Sequence, residues 1–156
     1  GQRTLLTRSE DITISDPDLA TVRQRKVSDL KNRVALVNGT ENAILLSIHQ
    51  NSLPSSTVTH GAQVFWNRQE GAEVLAEMIQ DSLNTCINLG NEKHPKPIPA
   101  TIYLMKNISA PGIIVECGFL SNADETIRLQ EPAYQLKLAA AVVGGYLRCA
   151  AGEEMP

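Results

Sequence analysis

Short continuous apolar runs alternate along this chain with longer stretches in which apolar residues recur at helical spacing. That alternation predicts strands separated by helices. The opening Gly1 to Arg8 reads as a strand, and Ser9 to Pro17 reads as a polar loop. Asp16-Pro17 offers a helix start, Leu30, Val34 and Val37 follow at i, i+4 and i+7, and Asn38-Gly39 supplies the stop. Ala43 to Ile48 is apolar without alternation, as expected of a strand covered on both faces, and it ends at His49. Asn51 to Thr59 is loop-like, and Gly61 to Trp66 has the alternation of a more exposed strand.

From Glu70 to Ile87 a helix is predicted by Ala72, Leu75, Ala76, Ile79, Leu83 and Ile87, with Gly90 ending it. Pro95, Pro97 and Pro99 make Asn91 to Ala100 a surface connection, neither helix nor central strand. Thr101 to Met105 and Gly112 to Val115 read as two more strands joined by a turn over Lys106 to Pro111. Asn122 with Glu125 three residues later has the form of a helix cap. Pro132 opens a long apolar helix through Leu136, Ala139, Ala140, Val143 and Leu147, in which Gly144-Gly145 predicts close packing on a neighbour. The expected class is α/β, a mostly parallel sheet flanked by helices, in one domain over residues 1–150 with a frayed tail at 151–156.

Composition narrows this picture only slightly. The chain of 156 residues is 42% hydrophobic with a net charge of −3, enough for one core and without the basic field that nucleic acid attracts. No apolar run reaches membrane-spanning length and no signal-peptide pattern opens the chain. Cys86, Cys117 and Cys149 form neither a paired framework nor a CxxC and read as free thiols.

Two strands end on groups that bind metal or move protons. His49 closes the first apolar run and Glu116 follows Ile113-Ile114-Val115, where ligands sit in α/β sheets. His49 is either a ligand or a neutral, hydrogen-bonded core residue. An apolar run that leads into a carboxylate carries a desolvation cost, so Glu116 is functional, or it emerges into solvent, or it pairs with an arginine such as Arg33. His60 and His94 fall in loops and read as surface residues, Trp66 caps the core edge or stacks on sugar, and Cys117 reads as a buried small residue.

Thr7-Arg8, Arg33 to Asn38, Ser47-Ile48-His49-Gln50-Asn51, Gly61 to Phe65 and Val115 to Asn122 together resemble the zinc-dependent N-acetylmuramoyl-L-alanine amidases of the Amidase_3 family. Tyr103 to Asn107, Glu116-Cys117-Gly118-Phe119 and Tyr134 to Ala139 are most similar to the germination-specific amidases of spore formers, which trim cortex peptidoglycan so that muramic lactam can form. The resemblance implies a three-layer amidase/phosphorylase-like fold and one Zn2+ held by a His, a Glu and a second His. It makes His49 the second zinc histidine and Glu116 the catalytic glutamate that assists a water, while Asn51, Gly61 and Asn122 border the substrate cleft. The family's first zinc histidine and its zinc glutamate precede the position that matches Gly1, so the expectation is an N-terminally incomplete domain lacking its first strand and helix, with the remaining ligands upstream of residue 1. Implied partners are peptidoglycan and either the missing N-terminal segment or an activating protein, in an extracytoplasmic setting: cell wall, periplasm or spore cortex. The alternative is a noncatalytic remnant that binds peptidoglycan or a partner protein.

Overall fold

A computed structural model describes residues 2–153, and the opening helix is α1 (Val22–Asn38). Thr21 caps it reciprocally, its hydroxyl accepting from the Gln24 N–H at 3.1 Å while the Gln24 carboxamide oxygen accepts from the Thr21 N–H at 3.0 Å. The helix therefore starts later than Asp16-Pro17, because Asp18 takes a φ of 61° that no right-handed helix contains. Asp16 and Ile14 are instead tied along the helix by Ser28, Asp29 and Asn32. Gly39 stops the helix as expected.

The remaining elements are β1 (Leu45–Asn51), β2 (Gln63–Trp66), α2 (Ala72–Cys86), β3 (Lys96–Pro97), α3 (Tyr103–Asn107), β4 (Gly112–Phe119), α4 (Ala123–Arg128) and α5 (Pro132–Ala150). The strands form one sheet in the order β1-β4-β2-β3. β1 and β4 run parallel, as do β2 and β3, and β2 meets β4 antiparallel. The mixed sheet flanked by helices is the α/β class that the sequence predicts.

β4 is buried almost throughout because its two faces meet two different layers. Ile113, Val115 and Cys117 join Val64, Leu75, Ile79, Leu138 and Val142 under α2 and α5. Ile114 on the other face packs with Val37, Met105 and Ile108 under α1 and α3. Helix α5 closes on α2 at Gly145, where a Cβ would lie 2.5 Å from the Ile79 Cα, so only glycine admits that contact. Gly144 meets nothing within 4 Å, so the close packing belongs to one of the two glycines.

Several expectations change. No strand forms over residues 2–8, where Leu5 and Leu6 are exposed; a strand exists only through a neighbour's hydrogen bonds, and no described strand pairs with this segment. Gly1 lies outside the described residues. Thr101 to Met105 is not a strand, since Tyr103 to Asn107 winds into α3 and turns Leu104, Met105 and Ile108 onto the α1 side of the core. β1 extends to Asn51 rather than ending at His49, with a register shift after His49. It is also not covered on both faces: it lies at the sheet edge, with Leu46 43% and Ile48 58% exposed. β2 reverses its expectation in the opposite sense and lies inside the sheet. In α5 the buried positions are Leu138, Ala141, Val142 and Gly145, whereas Leu136, Ala139, Ala140, Val143 and Leu147 face outward.

Candidate active site

The register of the sheet brings the two candidate residues together. His49 pairs with Glu116, and Glu116 pairs with Gln63 on its other side, so the three form a row across β1, β4 and β2. Alternation from Ile114 and Leu45 places this row on the α1/α3 face of the sheet, beyond the apolar cluster.

The Glu116 side chain is half-buried, and its Oε2 atom is buried with no hydrogen-bond partner. Burial raises its carboxyl above the ordinary carboxylate value, and the neighbouring His49 acts in the opposite direction. Glu116 neither emerges freely into solvent nor pairs with Arg33, which is engaged by Asp29 at 2.6 Å and Thr7 at 2.8 Å. A buried carboxylate oxygen without a donor is costly, and it marks a group waiting for a proton, a metal or a substrate. His49 is exposed, not a core residue, and its Nε2 lies 2.9 Å from the Ser47 hydroxyl. Ser47 opens the Ser47-Ile48-His49-Gln50-Asn51 segment, and its place two residues before His49 on the same face of the strand is the sequence signal for this contact.

The end of β4 is held by a second carboxylate that the sequence shows only as part of a cap. Glu125 is 2% exposed; its Oε2 accepts from the Phe119 N–H at 2.7 Å and its Oε1 from the Gly61 N–H at 3.0 Å. The cap is real as well, with Asn122 Oδ1 accepting from the Glu125 N–H at 3.1 Å. One side chain thus joins the strand that carries Glu116 to the loop entering β2. Gly61 adopts a φ of 95°, Asn88 and Gln80 fix the same region by accepting from the Ala62 and Val64 N–H groups, and Asn67 holds the far end of β4 by accepting from the Gly112 N–H.

Asn51 and Asn122 are close in the fold through the Leu120 N–H, which donates to the Asn51 carbonyl at 2.7 Å. Gly61 reaches them through Glu125. Cys117 is buried, its thiol pushed up to about 11 by the same burial, which suits a packing residue rather than a nucleophile. His60 and His94 are exposed, Trp66 packs against the core edge, and Asn38 ties α1 to the Asn107 carbonyl and the Ser109 N–H. Among the described residues no cluster of three or more His, Cys, Asp or Glu side chains is placed to hold a metal. His49 beside the orphaned Glu116 oxygen fits one wall of such a centre and does not complete it.

Comparison with known proteins identifies relatives of this chain in sequence and in fold. The chain is 34% identical over 148 residues to the germination-specific N-acetylmuramoyl-L-alanine amidase of Bacillus subtilis, an alignment covering 95% of this chain and 62% of that protein. It therefore spans less than two thirds of that relative's length. Its fold matches the CwlD amidase of Clostridioides difficile, solved in complex with the GerS lipoprotein, with a TM-score of 0.89 at 30% identity over 96% of this chain and 76% of that one. The catalytic domain of CwlV from Bacillus (Paenibacillus) polymyxa shares the fold with a TM-score of 0.68 at 20% identity, covering 96% of this chain and 73% of that one. Residues 1–147, which include both His49 and Glu116, match the sequence pattern of a single family, and the chain belongs to the N-acetylmuramoyl-L-alanine amidases.

Proposed function

We propose that this chain carries one wall of the active site of a peptidoglycan amidase that hydrolyses the amide bond between N-acetylmuramic acid and L-alanine. The observation that carries the reading is the buried, unpartnered Glu116 Oε2 standing in register beside His49. In this reading His49 is one ligand of a single zinc, and two further ligands come from outside the residues of this chain. When bound there, zinc supplies Lewis acidity, which brings water ionisation toward neutral pH and polarises a carbonyl.

The chain's own residues have separate tasks. Glu116 accepts a proton from the attacking water and returns it to the L-alanine nitrogen as the C–N bond breaks. Ser47 holds the His49 ring through its hydroxyl. Asn51, Gly61 and Asn122 border the bound glycan peptide; Asn122 Oδ1 is occupied by the α4 cap, which leaves its Nδ2 to donate. The setting is extracytoplasmic, in cell wall or spore cortex, where the substrate lies. An accessory protein that completes or exposes the site fits the same picture.

The test is elemental analysis for zinc on the purified chain, alone and mixed with a peptide bearing the family's first strand and helix, followed by mass spectrometry of muropeptides. Stoichiometric zinc only in the mixture, lost in His49→Ala, together with release of peptides bearing a free L-alanine amine, is the expected result. In the mixture, Glu116→Gln lowers the hydrolysis rate by about 10²–10⁴-fold while keeping the metal. Tight zinc binding by a His49→Ala chain would overturn the ligand assignment. Glycan binding without hydrolysis in the zinc-loaded mixture would favour the noncatalytic reading.

A further inference from the structure

α5 is apolar on two opposite sides. Leu138, Ala141, Val142 and Gly145 face α2 and the sheet. On the far side Ala133, Leu136, Ala140, Val143, Leu147 and Ala150 are all exposed, Leu136 at 71%, Val143 at 52% and Leu147 at 53%. Single exposed apolar residues are ordinary on a protein surface. These follow one another at steps of 3, 4, 3, 4 and 3 residues, the heptad spacing of a seam between two helices. The residues packed on the chain's own core fall on the opposite side of that heptad, so the outer stripe is not an extension of the core.

The order of residues along the seam identifies its occupant. Ala-Leu-Ala-Val-Leu-Ala reads almost identically in both directions, so a two-fold antiparallel pairing sets Ala133 against Ala150, Leu136 against Leu147 and Ala140 against Val143 of a second copy. Such self-complementarity is what an isologous interface requires. Antiparallel pairing opposes the two helix dipoles, and it places the two Lys137 ammonium groups at different levels of the seam, where a parallel pair would set them side by side. Gly144 lies beside the seam with open space where a Cβ would be, which leaves a smooth flank for close approach.

We propose that the outer face of α5 binds a second copy of this chain, forming an antiparallel two-fold dimer. α5 has 19 residues and is about 28 Å long, so the seam is short and the dimer is expected to dissociate reversibly on dilution. His49 and Glu116 lie on the α1/α3 face, on the other side of the sheet from α5, so both sites stay open in the dimer.

Sedimentation velocity of the full chain over a range of concentrations tests this, with circular dichroism confirming that each variant stays folded. The expected result is a reversible monomer–dimer equilibrium that Leu136→Lys alone and Leu147→Glu alone each weaken by at least tenfold. The double variant L136K/L147E should dimerise again, in a salt-sensitive manner, because the antiparallel pairing sets each lysine against a glutamate of the other copy. A chain that is monomeric throughout would overturn the proposal, as would a double variant that stays monomeric. Dimers dispersed by Ile48→Glu and untouched by the α5 variants would overturn it too, placing the contact at the β1 edge.

Discussion

β1 and β4 lie side by side in parallel register, and each is an apolar run that ends near an ionisable group, yet their surroundings differ. β4 has helices on both faces and exposes little, whereas Leu46 and Ile48, the register partners of Ile113 and Val115, are open to solvent. The α2/α5 layer extends over β4 and β2 and stops before it reaches β1. An apolar strand announces that it is to be covered; what covers it is decided elsewhere in the assembly. The same contrast runs through the site, where the residue on the enclosed strand is the one with an unanswered polar atom and the residue on the open strand is exposed.

Substitutions on the two strands test this contrast directly. Ile113→Ala removes a side chain with no exposure and is expected to cost about 2–5 kcal/mol in urea denaturation, while Ile48→Ala at the neighbouring register stays within about 0.5 kcal/mol. Equal losses at the two positions would mean that β1 is as enclosed in solution as β4. Glu125→Ala should cost a comparable amount, about 1–3 kcal/mol for each of the two backbone N–H groups it leaves without a partner. Glu125→Gln keeps one acceptor and should lose less; hydrogen exchange at Phe119 and Gly61 would show which amide is released.

Smaller effects are expected on the α1 side, which covers the other face of β1. Thr21→Ala removes the hydroxyl half of the capping box and should cost about 1 kcal/mol. Asp29 has its carboxyl held below the ordinary carboxylate value, first by the Arg33 side chain and further by the Ile14 N–H and the Thr13 hydroxyl. A lowered folded-state value means that this stabilisation is complete above the carboxyl's unfolded value and disappears as pH falls through the folded one. Denaturation midpoints for the parent and Asp29→Asn should therefore differ near neutrality and converge in acid, by at most about 1 kcal/mol for an ion pair near the surface. A difference that persists unchanged into acid would show that the loop before α1 is not held by charge.

Much of this was legible in the residues. α2, the stop of α1 at Gly39, the Asn122 cap and the strand leading to Glu116 all follow from periodicity and end signals that local physics enforces. The strand expected over residues 1–8 failed among its described residues because pairing is not a local property. α3 was misread because Thr101 to Met105 is too short for its spacing to separate strand from helix. In α5 the apolar residues that marked the helix, such as Leu136 and Leu147, belong to its outer face, since two apolar stripes on one helix look alike until a neighbour takes one of them. The juxtaposition of His49 and Glu116 was half visible, in that both end apolar runs; their shared row required the register. Glu125 showed its cap and concealed its clamp, because a carboxylate that satisfies two distant N–H groups leaves no trace in the spacing of its own helix.

Among the described strands, the inner strand that joins β1 to β2 is also the last in chain order. β1 and β2 emerge first, but neither touches the other, and both wait for Gly112 to Phe119 before the sheet can close. Until then the apolar residues of β1 and β2 have no strand between them, and long-range pairing of this kind is slow and prone to association. A nascent chain arrested before Gly112 should therefore be the form most dependent on a chaperone, and adding β4 with α4 and α5 should be the step that closes the sheet.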